Sequence, residues 1–503
     1  MEGSSEPLTE DMKKHFRITW EFYRDKFRPF LLQKHGLSEL GAHALQRSHA
    51  FRTEDRLAKT LLIAHLVPQT TSLRNLTAAR LAALNYGTVS SYVPGTEAIQ
   101  VLDHIKSWVG TFPEFTIGEG IDPLVDVHLT GVDYNSVLDR VKAEDNEGNR
   151  RELIRSIIAT ELKLAETGGL VRERELSLIW RGSKRTVSVL FGNVRDRSDV
   201  TNESLTSVTD GWRLVIDYPY DGATHSPKDD IARLSELRGE GAEAPTIAWI
   251  PNFLSAARMD EIGTVVLLEY ALKPTQFDNN ASHLPVTDRE PARQALLNKR
   301  DQLRARIVEV LREAYGVATA RAENVELQLE GSEIFSSLYP GLALQPPVAI
   351  GMRDGIEKVL DQAWTFEHPK HPKIAEEDGE VRSTVMRDIV AHVQQAHEGG
   401  GRTGAVLKPA QGVLRRVAVP LGLGTLNENV FVASPATFAW LNDFTKWEAE
   451  AVQELSVAAI RAKLSPWGMS TVLEDGVILT WSILTEKEWI RAGVSTVAPA
   501  PGD

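Results

Sequence analysis

The stretch from Leu176 to Phe253 constrains the fold most. It holds four short apolar runs, Leu176–Trp180, Thr186–Phe191, Trp212–Asp217 and Thr246–Ile250, rich in Val, Ile, Leu and Trp and bounded by Gly, Pro, Asn and Asp. Runs of that length between turn residues predict strands. Two of them end on polar groups, Asp217-Tyr-Pro-Tyr-Asp221 and Pro251-Asn-Phe253. A buried strand that delivers an acid at its C-terminal end is how α/β folds place ligand-binding chemistry. On physical grounds alone the stretch reads as the core of a soluble α/β protein, open to a nucleotide-type ligand.

Composition sets the outer bounds. The 503 residues suggest a chain of about two to four domains. An apolar fraction of 42% and a charged fraction of 25% are ordinary for a globular protein. There is no cysteine, which excludes disulfides, thiolate metal sites and a Cys nucleophile, and fits a reducing cytoplasm. The net charge of -13 restricts any nucleic-acid contact to a local patch. No signal-peptide apolar core follows Met1, and no apolar run is long enough to span a bilayer.

Around the core strands, periodicity marks helices. From Thr9 to His35, Met12, Phe16, Trp20, Tyr23, Phe27 and Leu31 form one stripe, with Pro29 as a kink or split. The plain reading is a docking helix, and the functional one a recognition or dimer helix. Between Phe51 and Gly131 the spacing predicts three helices and a hairpin. Thr53 caps the first helix, Thr77 starts the second, and the third turns Ile99, Leu102, Ile105 and Val109 inward. That order is a winged helix, which serves as a DNA reader, an ATPase lid or a protein-binding surface. Few cations flank the second and third helices, which favours lid or protein contact. Val472–Leu484 reads as a hairpin turning at Glu474-Asp-Gly476, and the tail 498–503 as disordered. The expected fold is multidomain α/β. It comprises an N-terminal helical segment over 1–50, a winged-helix-like domain over 51–145 and a mixed α/β core over 151–320. A helical C-terminal domain over 340–503 contains a second winged-helix-like unit.

The chemistry-bearing motifs are sparse. No Gly-x-x-x-x-Gly-Lys-Ser/Thr string is present, and Gly399–Gly404 is glycine-rich without the Lys-Ser or Lys-Thr a phosphate loop requires. Asp217, closing Leu-Val-Ile-Asp, resembles a Walker-B acid, which helps hold magnesium in working NTPases. Its plain reading is a carboxylate that caps a strand end or pairs with a nearby Arg. His368 and His371 are separated by a proline-rich loop read as solvated, not as a zinc site. Arg172, Arg174, Arg181, Lys184, Arg185, Arg195 and Arg197 are the best candidate phosphate or nucleic-acid patch, against the plain reading of a solvated face. No catalytic, cofactor-binding or metal-ligating residue is assigned.

Several strings, in order, carry a resemblance. They are Phe51-Arg-Thr-Glu-Asp-Arg-Leu-Ala-Lys-Thr-Leu-Leu62, Leu76-Thr-Ala-Ala-Arg-Leu-Ala-Ala-Leu-Asn85 and Leu129-Thr-Gly-Val-Asp133. Leu190-Phe-Gly-Asn-Val-Arg-Asp196, Trp212-Arg-Leu-Val-Ile-Asp-Tyr-Pro219, Trp249-Ile-Pro-Asn-Phe-Leu254 and Leu414-Arg-Arg-Val-Ala-Val-Pro-Leu-Gly-Leu-Gly424 follow. The set resembles the BrxC/PglY family of ATPase-like proteins from BREX and phage-growth-limitation systems. The resemblance implies a cytoplasmic component of bacterial phage resistance that acts with a methyltransferase and other partners of its system. It also implies a P-loop upstream of the matched region, so this chain looks like a fragment, a split gene product or a reduced homologue. The leading expectation is a non-catalytic or partial-ATPase module working through protein and DNA contacts, without a membrane partner. A nucleotide hydrolase with a degenerate site at Asp217 and Asp221, and a winged-helix DNA-binding regulator, are the alternatives.

Overall fold

The computed structural model describes residues 10–37, 48–67, 70–89, 95–118, 122–127, 135–165, 173–207, 211–222, 224–375, 379–451, 455–491 and 494–501, with single positions at 93, 120 and 129. Arg172 and residues 130–133 of one quoted string lie outside the described residues. The chain forms two compact units, one of Met1–Ile154 and Ser255–Leu311, the other of Arg155–Leu254 and Arg312–Asp503.

The first unit opens with a helix, Glu10–Glu21, a π-helical turn, Phe22–Phe27, and a further helix, Arg28–Lys34. The expected stripe does not hold through it. Phe16 and Trp20 are about half exposed, whereas Phe22, Tyr23, Phe27, Leu31 and Leu32 are buried. The wide turn explains the shift. Arg28 N–H reaches back five residues to Tyr23 O, just ahead of Pro29, which has no N–H to continue an α-helical ladder. The rotated face sets Phe27 within 5.1–5.3 Å of the Trp108, Phe112 and Phe115 rings.

The three helices and the hairpin are present. The first helix, His49–Leu66, is capped by Ser48 rather than Thr53, which lies buried inside it and donates to Thr88 O at 2.9 Å. The second, Ala78–Leu84, starts at the Thr77 cap as expected. The third, Glu97–Val109, buries Val101, Ile105, Trp108 and Val109, while Ile99 faces out. Strands β1 (Phe115–Ile117) and β2 (Val125–Val127) pair antiparallel. Thr77 bridges Leu124, and Val125 N–H donates to Leu76 O at 2.7 Å. The chain entering the second helix is thereby bonded to the far strand of the hairpin, which fixes the hairpin as a wing.

The second unit is built on a five-stranded sheet in the order β3-β4-β5-β6-β7. Its strands are β3 (Glu173–Trp180), β4 (Ser183–Phe191), β5 (Trp212–Ile216), β6 (Thr246–Trp249) and β7 (Phe335–Ser337). β3 and β4 form a hairpin whose two turn residues, Arg181 and Gly182, both have positive φ, as a type I′ turn requires. β4, β5 and β6 run parallel, and β7 closes the edge antiparallel to β6. Register places Leu176, Val187, Trp212, Leu214 and Ile247 on one face. The Trp180 and Trp212 indole N–H groups donate at 2.7 Å to Asp361 and Glu367 of the helix Met352–Glu367. On the other face Val215 and Ala248 pack with Leu205, Leu234 and Leu237 from the two crossover helices, Asn202–Thr206 and Pro227–Gly239.

The C-terminal part is largely helical, with a small sheet of β8 (Arg402–Ala405), β9 (Thr425–Asn427) and β10 (Val430–Val432) in the order β8-β10-β9. The expected hairpin over Val472–Leu484 is a buried helix, Thr471–Leu484. Glu474-Asp-Gly476 is not a turn: Gly476 lies where the helix meets Met386, and a Cβ there would stand 2.3 Å from the sulfur. The tail is described as far as Pro501, which is buried, against the expectation of disorder.

Candidate functional site

Because β4, β5 and β6 are parallel, their C-terminal ends deliver three segments to one edge of the sheet. Alternation puts Asp217 on the same face as Val215, the face covered by the helix Pro227–Gly239. Ser226 N–H donates to Asp229 at 2.7 Å and Pro227 occupies the first turn, which fixes where that helix begins. Its inner stripe is Asp230, Arg233, Leu234 and Leu237, so the first turn carries Asp230 directly to Asp217.

Both carboxyls are only 3% exposed, and they are hydrogen bonded to each other. Asp217 also accepts from Tyr218 N–H at 2.7 Å and Val194 N–H at 3.2 Å. Asp230 accepts from Arg195 N–H at 2.7 Å. Burial, reinforced by the neighbouring carboxyl, raises Asp217 well above the usual carboxylate range, and burial raises Asp230 as well. Two adjacent carboxyls out of water do not both ionise, so the pair holds a proton. Arg233, itself buried, donates to Val194 O and to Asn202 Oδ1, and the Tyr315 hydroxyl donates to Asp217 O. Nearer the surface, burial works against the Asp221 carboxylate, but Arg195 at 2.7 Å and Asn193 hold it below its usual range. At the end of β6 the Asn252 carboxamide oxygen accepts from Gln328 N–H at 3.0 Å and Leu329 N–H at 2.9 Å.

The polar strand ends therefore bind their own chain. Asp217 and Asp230 fasten the loop after β4 to the helix after β5, and Asn252 fastens the approach to β7. This arrangement does not fit a magnesium nucleotide. A carboxylate that holds magnesium must be charged and present an oxygen to the ion, whereas burial and Asp230 disfavour the charged form of Asp217, and its oxygens face backbone N–H groups and Asp230. Of the two plain readings from sequence, strand-end capping is the one realised. Its charged neighbour is not an Arg but a second acid.

The cations around the core strands do not converge. Arg181 stacks on Trp180 at 4.6 Å and lies 3.8 Å from Asp361, while Arg185 is part-buried and bonded to Gly468 O. Arg195 pairs with Asp221 and Arg197 with Glu236 at 2.8 Å. The expected solvated loop at His368-Pro-Lys-His-Pro372 is also corrected. His371 is 3% exposed, its ring is 4.5 Å from that of Trp180, and burial pushes it down to about 4. Among the described residues no group of three His, Asp or Glu is placed to hold a metal ion. Sequence reasoning missed Asp230, Arg233 and Tyr315. The usable signal for the first two was the inward spacing Asp230-Arg233-Leu234-Leu237 behind a Ser-Pro helix start.

Residues 1–121 match the BREX System ATPase PglY protein 2nd domain, 137–368 the PglY fourth domain and 384–482 the BREX System ATPase PglY protein 5th domain. The chain belongs to the BrxC/PglY family of phage-resistance proteins. No solved structure matches it. The five-stranded sheet and the whole Asp217–Asp230 cluster fall inside the PglY fourth-domain match, and β8, β9 and β10 inside the fifth. Among the described residues no helix is long and apolar enough to cross a membrane.

Proposed function

We propose that this chain is a non-hydrolysing module of a BREX/Pgl-type phage-resistance system, acting through contacts with other proteins of that system. Its working segments on this reading are the winged-helix-like part over 51–145, the α/β core over 151–320 and the C-terminal part over 340–503. The observation that carries it is Asp217. The residue placed like a Walker-B acid is buried, pushed by that burial and by Asp230 away from the charged form, and committed to Val194, Tyr218 and Asp230. The absence of a Gly-x-x-x-x-Gly-Lys-Ser/Thr string from the chain supports the same reading.

Calorimetric titration of magnesium-ATP into the purified chain tests it, with Asp217→Ala and Asp221→Asn titrated alongside. No binding heat to any of the three is expected. Saturable binding to the wild-type chain that disappears in either variant would overturn the proposal in favour of a degenerate nucleotide site.

A further inference from the structure

Residues 399–427 contain four cations and no acid, in a chain with 69 acids and a net charge of -13. Three of the four, Lys408, Arg415 and Arg416, lie on one helical segment, Lys408–Val413 continued by the π turn Leu414–Ala418. All three are exposed, while Leu414, Val417 and Ala418 face the core. The Arg416 guanidinium lies over Gly412, where an added Cβ would stand 3.5 Å from it. The outer face thus carries cations around a position with no side chain. Among the described residues neither Lys408 nor Arg415 has an ion-pair partner. This sets them apart from Arg195 and Arg197 of the core, each already paired with an acid.

The surrounding topology fits a role for that face. β8 leads into the cationic helix, the helix is followed by the hairpin β9–β10, and β8 pairs with β10. A comparable pairing, from the chain after the first helix to the residue leading into the far strand of the hairpin, occurs at Thr77 and Leu124 of the first unit, there with two helices in between. In a fold of this kind the helix ahead of the hairpin is the element offered to a duplex. The helix in that place in the first unit, Glu97–Val109, carries Glu97 and Asp103 against Lys106 and is no match for phosphate. Leu407 ahead of the helix and Val419 after it are exposed, so an apolar anchor of the kind a tight protein interface needs borders the cationic face without lying among its cations. Phosphate contacts need no such anchor. Glu428 sits at the tip of the β9–β10 hairpin, so the helix rather than the hairpin carries the attraction.

We infer that the outer face of the helix 408–418 binds the phosphate backbone of duplex DNA through Lys408, Arg415 and Arg416. B-form DNA suits it better than duplex RNA, because the B-form major groove admits an α-helix and the A-form groove does not. The inference rests on a different surface from the nucleotide reading, and failure of either leaves the other standing.

The test is fluorescence anisotropy of the full chain with a labelled duplex DNA of about two helical turns, roughly 20 base pairs, across a salt series. Three phosphate contacts give a slope of log affinity against log salt near -2.7. Binding should then weaken on the order of 40-fold between about 50 and 200 mM salt. The variant Lys408→Gln/Arg415→Gln/Arg416→Gln should lose binding at least tenfold and flatten the slope, while its thermal transition stays in place because all three side chains are exposed. Arg415→Gln alone should lower the slope by about one unit. Lys184→Gln, exposed elsewhere, should bind as wild type. Absence of salt-dependent binding, full binding by the triple variant, or capture of an acidic polypeptide but not of DNA through these residues would each overturn the inference.

Discussion

Replacing Asp217 by Asn should flatten the dependence of stability on pH. In the wild-type fold the Asp217 carboxyl keeps its proton well above the usual range, because it is buried and bonded to Asp230. Below a pH of about 4 both the folded and the unfolded states are protonated there, and the site has its full stabilising effect. Above that pH the unfolded chain gives up the proton and the fold does not. Stability then falls by about 1.4 kcal/mol per pH unit until the folded pKa is reached. Asn carries no such proton. It keeps an oxygen for Tyr218 N–H and an N–H for Asp230, but leaves Val194 N–H, now at 3.2 Å from an acceptor, without one. That loss costs about 1 kcal/mol. The variant should therefore be the weaker protein near pH 4 and equal or exceed wild type by pH 6 to 7. The assay is urea unfolding of both chains at half-unit pH steps, taken as a difference so that other titrating groups, His371 among them, cancel. Parallel profiles for the two chains would refute the retained proton.

Two further substitutions probe the packing. Burial works against the Glu54 carboxylate, but His104, Lys34 at 2.8 Å and the Trp108 indole N–H at 2.5 Å hold it at about 2. Glu54→Gln should cost about 2–3 kcal/mol at neutral pH after allowance for solvent screening. Because the folded pKa is depressed, that difference should fade as pH falls from about 4.5 towards 2, read from thermal melts. Gly476→Ala would press a methyl group against Met386, 2.3 Å from its sulfur, and should destabilise the C-terminal part by about 1–3 kcal/mol in the same assay. A melt indistinguishable from wild type would mean that Met386 gives way to the added methyl more easily than the spacing suggests.

The parts of the fold that could be read from the chain are those whose signal is local. β3 to β6 follow from apolar runs between turn residues, and the Thr77 cap from chemistry at a single position. β7 escaped because three residues, Phe335–Ser337, carry too little pattern. The helix Thr471–Leu484 reads as a hairpin in sequence because Glu474-Asp-Gly476 has turn chemistry, while the glycine answers to a contact with Met386, ninety residues earlier. The N-terminal stripe was misdirected by one π turn, which no periodic template contains. At the site, Asp217 was legible as the end of a strand. Its partner was not, since Asp230 reaches it only through the packing of a helix on the sheet. The Arg181–Arg197 cations show the converse: neighbours in sequence, they are spent on separate partners in space.

The insertion of Ser255–Leu311 between β6 and β7 also governs the order in which the protein can be made. A ribosome that has released Ile154 has not yet supplied the helices that complete the first unit, and must first thread out β3 to β6. At about 5–20 residues per second the delay is roughly 10–30 s. When Leu311 finally emerges, the sheet of the second unit is still missing β7. Neither unit can finish folding before the other has begun, so a nascent chain halted between Trp249 and Leu311 exposes two unfinished cores at once.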